Sequence, residues 1–190
     1  MTRLLIKAAL LGTFLAPCGA GPGYCGGPAQ DPRIDHNIRI ICRSKAMDPK
    51  ARSLCVSYLS HVYYLDRRFG GWLGRIQAAL RADIRGLNLD DFPRIRFGEV
   101  LPAAGVLPSG DSGSWDGSIL GLDEGMITLS ERMDGDDPVA ELLLDHEICH
   151  HADAVHWDGT PSGENPFGGS EEACYAVEGC LVSGECRDPL

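Results

Sequence analysis

Cations are in short supply along this chain. Lys and Arg number 17 against 27 Asp and Glu, which leaves a formal charge of −10 and a pI near 4.9. Nucleic-acid backbones are held by clustered cations, so this balance excludes a broad nucleic-acid surface. No two of the eight cysteines (18, 25, 42, 55, 149, 174, 180 and 186) have the CxxC spacing of a redox dithiol or a zinc ribbon. Internal repeats and low-complexity segments are absent as well. The apolar run from Leu4 to Ala16 is interrupted by Lys7 and is too short for a stable membrane span. Aromatic residues are few at 7%, yet 44% hydrophobic and 23% charged is the composition of a chain that folds. At 190 residues there is room for one ordinary core and not for two.

What is present begins with the leader. Arg3, the apolar run and the small residues Gly19-Ala20 have the order of a secretory signal peptide. Residues 1–20 are therefore expected to be removed on export to the cell exterior or a periplasm, leaving 21–190 as a single domain. Leu15-Ala16-Pro17-Cys18 is close to a lipoprotein box, but proline before the cysteine departs from that pattern, so cleavage after Ala20 is favoured over anchoring at Cys18. The cysteine count fits an oxidising compartment, where these residues serve as structural disulfides. Nothing in the pattern fixes an oligomeric state.

The 24 glycines and 12 prolines imply long loops between the elements. Gly21 to Pro32 reads as an irregular lead-in. Apolar residues recur at helical spacing from about Asp48 to Asp66 and again from Trp72 to Ile84. Alternation over Pro93 to Val100 and over Met126 to Leu129 predicts two strands, separated by a Gly/Ser-rich loop region. Asp137-Pro138 is an N-cap followed by proline at the first helical position, so a helix should run from Pro138 past His150. Ser170 caps a last helix through about Val177. Helices, a few strands and two further helices make an α+β chain.

The second-last helix carries the chemistry. His146, Glu147 and His150 spell HExxH. Residues four apart on a helix share a face, so the two imidazoles can present nitrogens to one ion at the spacing zinc requires. Glu147 lies beside them, placed to take a proton from a metal-activated water. Catalytic zinc normally takes three protein ligands, and the third is not in the motif. His156 would complete the HExxHxxxxxH spacing of metzincins, but that pattern needs glycine where Asp153 stands, and no methionine follows for its methionine turn. If the helix continues, His156 lies about 240° round from His150 and out of reach. The pair Glu171-Glu172, on a helix that begins 21 positions after His150, is a better source, with Glu164 in the loop as a weaker one.

From His146 to about Val177 the chain resembles the gluzincin group of zinc peptidases: HExxHxxD (His146, Glu147, His150, Asp153), then Ser170-Glu171-Glu172-Ala173-Cys174-Tyr175-Ala176. The resemblance implies a compact zincin-like domain, with a small sheet, the HExxH helix and a following glutamate-bearing helix. In that group the ligand glutamate is often followed three positions later by a small residue, which favours Glu171 with Cys174 over Glu172 with Tyr175. One Zn2+ would then sit on His146, His150 and Glu171, with Glu147 as general base against a peptide or protein substrate. Asp153 would support a ligand imidazole, and His151, His156 or Tyr175 would face the developing oxyanion. Cys149 is expected to be packed or bridged to Cys174, and the strand over Ile127 to Leu129 to bind an extended peptide by strand addition. The alternative is a secreted, disulfide-stapled binding protein whose HExxH is structural or vestigial.

Overall fold

Asp31-Pro32 and Asp137-Pro138 are the same two-residue signal, and each opens a helix in the computed structural model of the chain. The Asp31 carboxylate accepts from the Arg33 amide and the Asp137 carboxylate from the Val139 amide, both at 2.9 Å. These bonds satisfy donors that a helix start leaves open. The structure describes residues 29–64, 69, 71–89, 92–100, 113–116, 125–155 and 171–183. The expected leader over 1–20 lies outside them.

The described residues form five helices and three strands: α1 (Pro32–Lys45), α2 (Pro49–Tyr64), α3 (Gly71–Gly86), β1 (Arg94–Gly98), β2 (Gly113–Asp116), β3 (Met126–Ser130), α4 (Pro138–Val155) and α5 (Glu171–Ser183). The chain is thus α+β, as its pattern indicates. Three details differ from the sequence expectation. α1 follows directly on what reads as lead-in, β2 lies within the expected loop region, and α5 runs beyond Val177 to Ser183.

The sheet has the order β1-β3-β2. β1 runs parallel to β3 with Ile95 opposite Ile127, and β2 runs antiparallel to β3 with Trp115 opposite the same residue. β3 is therefore central, with ladders on both sides. The expectation that the strand over Ile127 to Leu129 is a free edge is wrong, because its backbone donors and acceptors already face β1 and β2. Of the edge strands, β2 is the one that packs against α4.

One apolar cluster holds the layers together. Ile34, Ile38 and Ile41 of α1 meet Leu54, Leu59 and Val62 of α2 and Ile76, Leu80 and Ile84 of α3; Ile95, Ile127 and Leu129 come from the sheet. Ala140, Leu144, Ile148 and Ala152 form a four-residue-spaced buried ridge along α4. That ridge sets the rotation of α4 and with it the direction in which the motif residues point. Asp48 ties a helix start to the sheet, accepting from the Ala51 amide through Oδ1 and from the Phe97 amide through Oδ2, each at 2.8 Å. Disulfides join α1 to α2 (Cys42–Cys55) and α4 to α5 (Cys149–Cys174), and Cys180 is also disulfide-bonded. Such bridges are those expected of an oxidising compartment. Among the described residues no helix is long and apolar enough to cross a membrane.

Candidate metal centre

α4 buries an unusual series of ionisable side chains. Asp145, His146, Glu147, His150 and His151 are each less than a tenth exposed. Burying polar groups is costly unless they find partners, so such a series on one helix demands a local reason.

The two motif histidines converge. Nε2 of His146 and Nε2 of His150 lie 3.1 Å apart, with ring planes inclined at 71°. Two nitrogens bound to one tetrahedral zinc at about 2.0–2.1 Å would be separated by about 3.3–3.4 Å. The pair is thus within a few tenths of an ångström of the spacing that a shared ion requires. Glu147 is on the next position of the same helix and is 5% exposed.

α5 backs this pair from the opposite side. Glu178 Oε1 comes within 3.1 Å of His146 Nδ1, an ion-pair approach that is not yet an aligned hydrogen bond. Cys174 Sγ lies 3.6 Å from His150 Nδ1. Residues 174 and 178 are one turn apart on α5, as 146 and 150 are on α4. The Tyr175 ring sits 5.0 Å from the His146 ring while remaining 60% exposed, which puts it at the mouth of the site. The Cys149–Cys174 disulfide ties the two helices at the level of His150, the second of the two expected fates of Cys149, packed or bridged to Cys174.

The third-ligand candidates divide by what is described. Position 171 is the first residue of α5. With 171 as origin, positions 174, 175 and 178 fall at about −60°, +40° and −20° round the helix, and 172 at about +100°. The residues of α5 that touch the motif therefore bracket position 171 and leave 172 to one side. The side chains of Glu171, Glu172 and Asp153, and all of His156 and Glu164, lie outside the described residues. Among the described residues no group of three or more His, Cys, Asp and Glu side chains forms a metal-binding set. α4 does continue to Val155 without breaking at Asp153, so the turn that a metzincin-like third histidine requires is not made there.

Glu178 is the residue that sequence reasoning missed. The expected end of α5, at about Val177, falls just short of it. Its spacing from Glu171 and Cys174 (i, i+3, i+7) was the available signal. A second contact anchors the motif helix at its other end: Glu141 accepts from the Ser57 hydroxyl and pairs with His61 Nδ1 at 2.8 Å, joining α4 to α2.

No family model matches the chain, and no curated protein or solved structure is significantly similar to it. The site stands on its own geometry.

Proposed function

We propose that this chain is an exported zinc peptidase with a gluzincin-like site, in which His146, His150 and Glu171 hold one Zn2+. The observation that carries the reading is the 3.1 Å approach of two imidazole Nε2 atoms on a buried face of α4, next to a buried Glu147. The donor set suits zinc, a borderline-soft ion that takes imidazole nitrogen and carboxylate oxygen in tetrahedral sites. A zinc ion there supplies Lewis acidity, polarising the scissile carbonyl and lowering the pKa of water toward neutrality.

The remaining work falls to the protein's own groups. Glu147 takes the proton of the attacking water on its carboxylate and returns it to the leaving amine nitrogen. Burial of Glu147 keeps bulk water from competing for that proton. The α4 ridge and the disulfide to α5 hold the imidazoles in place, so little reorganisation is required during the reaction. Tyr175, exposed beside His146, is the group best placed to meet substrate. An extended peptide would add to the outer edge of β2, the edge strand against α4, since β3 has no vacant ladder.

The test is Glu147→Gln. Zinc content and fold should be retained while peptide hydrolysis falls by at least ~10²-fold, the scale of a lost general base. Undiminished turnover would remove Glu147 from the mechanism. Hydrolysis and zinc both missing in the parent protein would favour the disulfide-stapled binding protein instead.

A further inference from the structure

The geometry assigns to Glu178 the task of holding His146 in the one neutral tautomer that can bind an ion through Nε2. This rests on the zinc site proposed above, but the assignment concerns a proton on the protein and can be read without metal. An imidazole that gives its Nε2 lone pair to zinc must carry its proton on Nδ1. The Glu178 carboxylate is within 3.1 Å of that nitrogen, with the imidazole 7% and the carboxylate 20% exposed. A negative oxygen at this distance, shielded from water, favours the Nδ1–H form over the Nε2–H form.

The proton inventory of the pair follows. The two Nε2 atoms are at hydrogen-bond distance, so in the metal-free protein one must donate and the other accept. With His146 protonated on Nδ1, its Nε2 is the acceptor and His150 Nε2–H is the donor. His150 Nδ1 then faces Cys174 Sγ at 3.6 Å, a disulfide sulfur with no proton to give. The two histidines are therefore not equivalent: His146 already offers its Nε2 lone pair, while His150 would have to exchange its proton from Nε2 to Nδ1, the nitrogen beside Cys174 Sγ, before its Nε2 could hold an ion. Glu178 is a positioning residue, since it acts through His146 and touches neither zinc nor substrate.

The test compares the full mature chain with Glu178→Ala and Glu178→Gln. Long-range 1H–15N correlation spectra of the metal-free proteins, recorded at a pH where the imidazoles are neutral, read the tautomer of His146 directly. The parent should show the proton on Nδ1 of His146 and on Nε2 of His150. Glu178→Ala should move His146 toward the Nε2–H form and weaken zinc binding by about 10–100-fold, measured against a competing chromophoric chelator. Glu178→Gln keeps a neutral acceptor and should restore the Nδ1–H form, with affinity within about tenfold of the parent. A parent His146 in the Nε2–H form overturns the assignment. So does a Glu178→Ala protein, folded by circular dichroism, whose tautomer is unchanged. A tautomer that depends on Glu178 in a protein that takes up no zinc supports the assignment and overturns the peptidase reading instead.

Discussion

Replacing Cys149 and Cys174 together with alanine opens the covalent link between α4 and α5 without adding a charge or a polar group. The two residues are 25 positions apart in sequence. On the chain-entropy relation, a loop of that size restricts the unfolded chain by about 3.5 kcal/mol, against about 2.9 kcal/mol for a loop of 13. The second value applies to Cys42–Cys55, whose separation is 13. The two double variants should therefore lose similar stability, each lowering Tm by roughly 6–14 °C for a chain of this size. Their effects on zinc should differ sharply. Cys42–Cys55 joins α1 to α2, and neither helix supplies a proposed ligand. Cys149–Cys174 sits beside His150 and sets the register that brings Glu178 to His146 and position 171 to the same face. Thermal unfolding and zinc competition titrations on both variants separate the two roles. Zinc affinity should fall at least about tenfold in the Cys149/Cys174 variant, the scale of a lost supporting contact, and stay near the parent in the Cys42/Cys55 variant. Equal effects of the two replacements on zinc would refute the claim that α5 is the backing of the site.

Glu171→Ala should release zinc, while Glu172→Ala should leave affinity within a few-fold, because a neighbour on the same helix points about 100° away. Zinc stoichiometry rather than rate reads that comparison; release by Glu172→Ala alone would move the ligand by one residue, and release by His156→Ala alone would replace the gluzincin-like geometry. Glu141→Ala removes the acceptor shared by Ser57 and His61 and should cost about 1–3 kcal/mol in denaturant unfolding, with the motif helix loosened from α2. An unchanged unfolding midpoint would show that this contact does not hold α4.

The motif helix was the most legible part of the chain because its signals are local. Asp137-Pro138 marks its start, and four-residue spacing puts His146 and His150 on one face. α1 carries the same Asp-Pro start, with Ile34, Ile38 and Ile41 at helical spacing, but its Asp-Pro falls at the end of the Gly/Pro-rich lead-in over Gly21 to Pro32, and no element is expected between there and Asp48. β2 has four residues, too few for alternation to show. Its existence decides that β3 is central, and strand pairing of this kind depends on partners distant in sequence. The length of α5 likewise depends on more than local signals. The helix runs on through Gly179 to Ser183, and Cys180, just beyond the glycine, is held by a disulfide. Once the helix continues, Glu178 arrives beside His146, and no local rule links those two residues across the intervening loop. The pairing of the histidines could be read from sequence, and what holds each imidazole from behind could not.

The central claim is that His146 and His150 share a zinc ion, and the most direct measurement is metal content. Protein purified without added metal, or reconstituted and freed of excess, should contain one zinc per chain by elemental mass spectrometry, and His146→Ala/His150→Ala should contain none while remaining folded. Zinc absent from the parent under both conditions, or retained in full by the double variant, would contradict it.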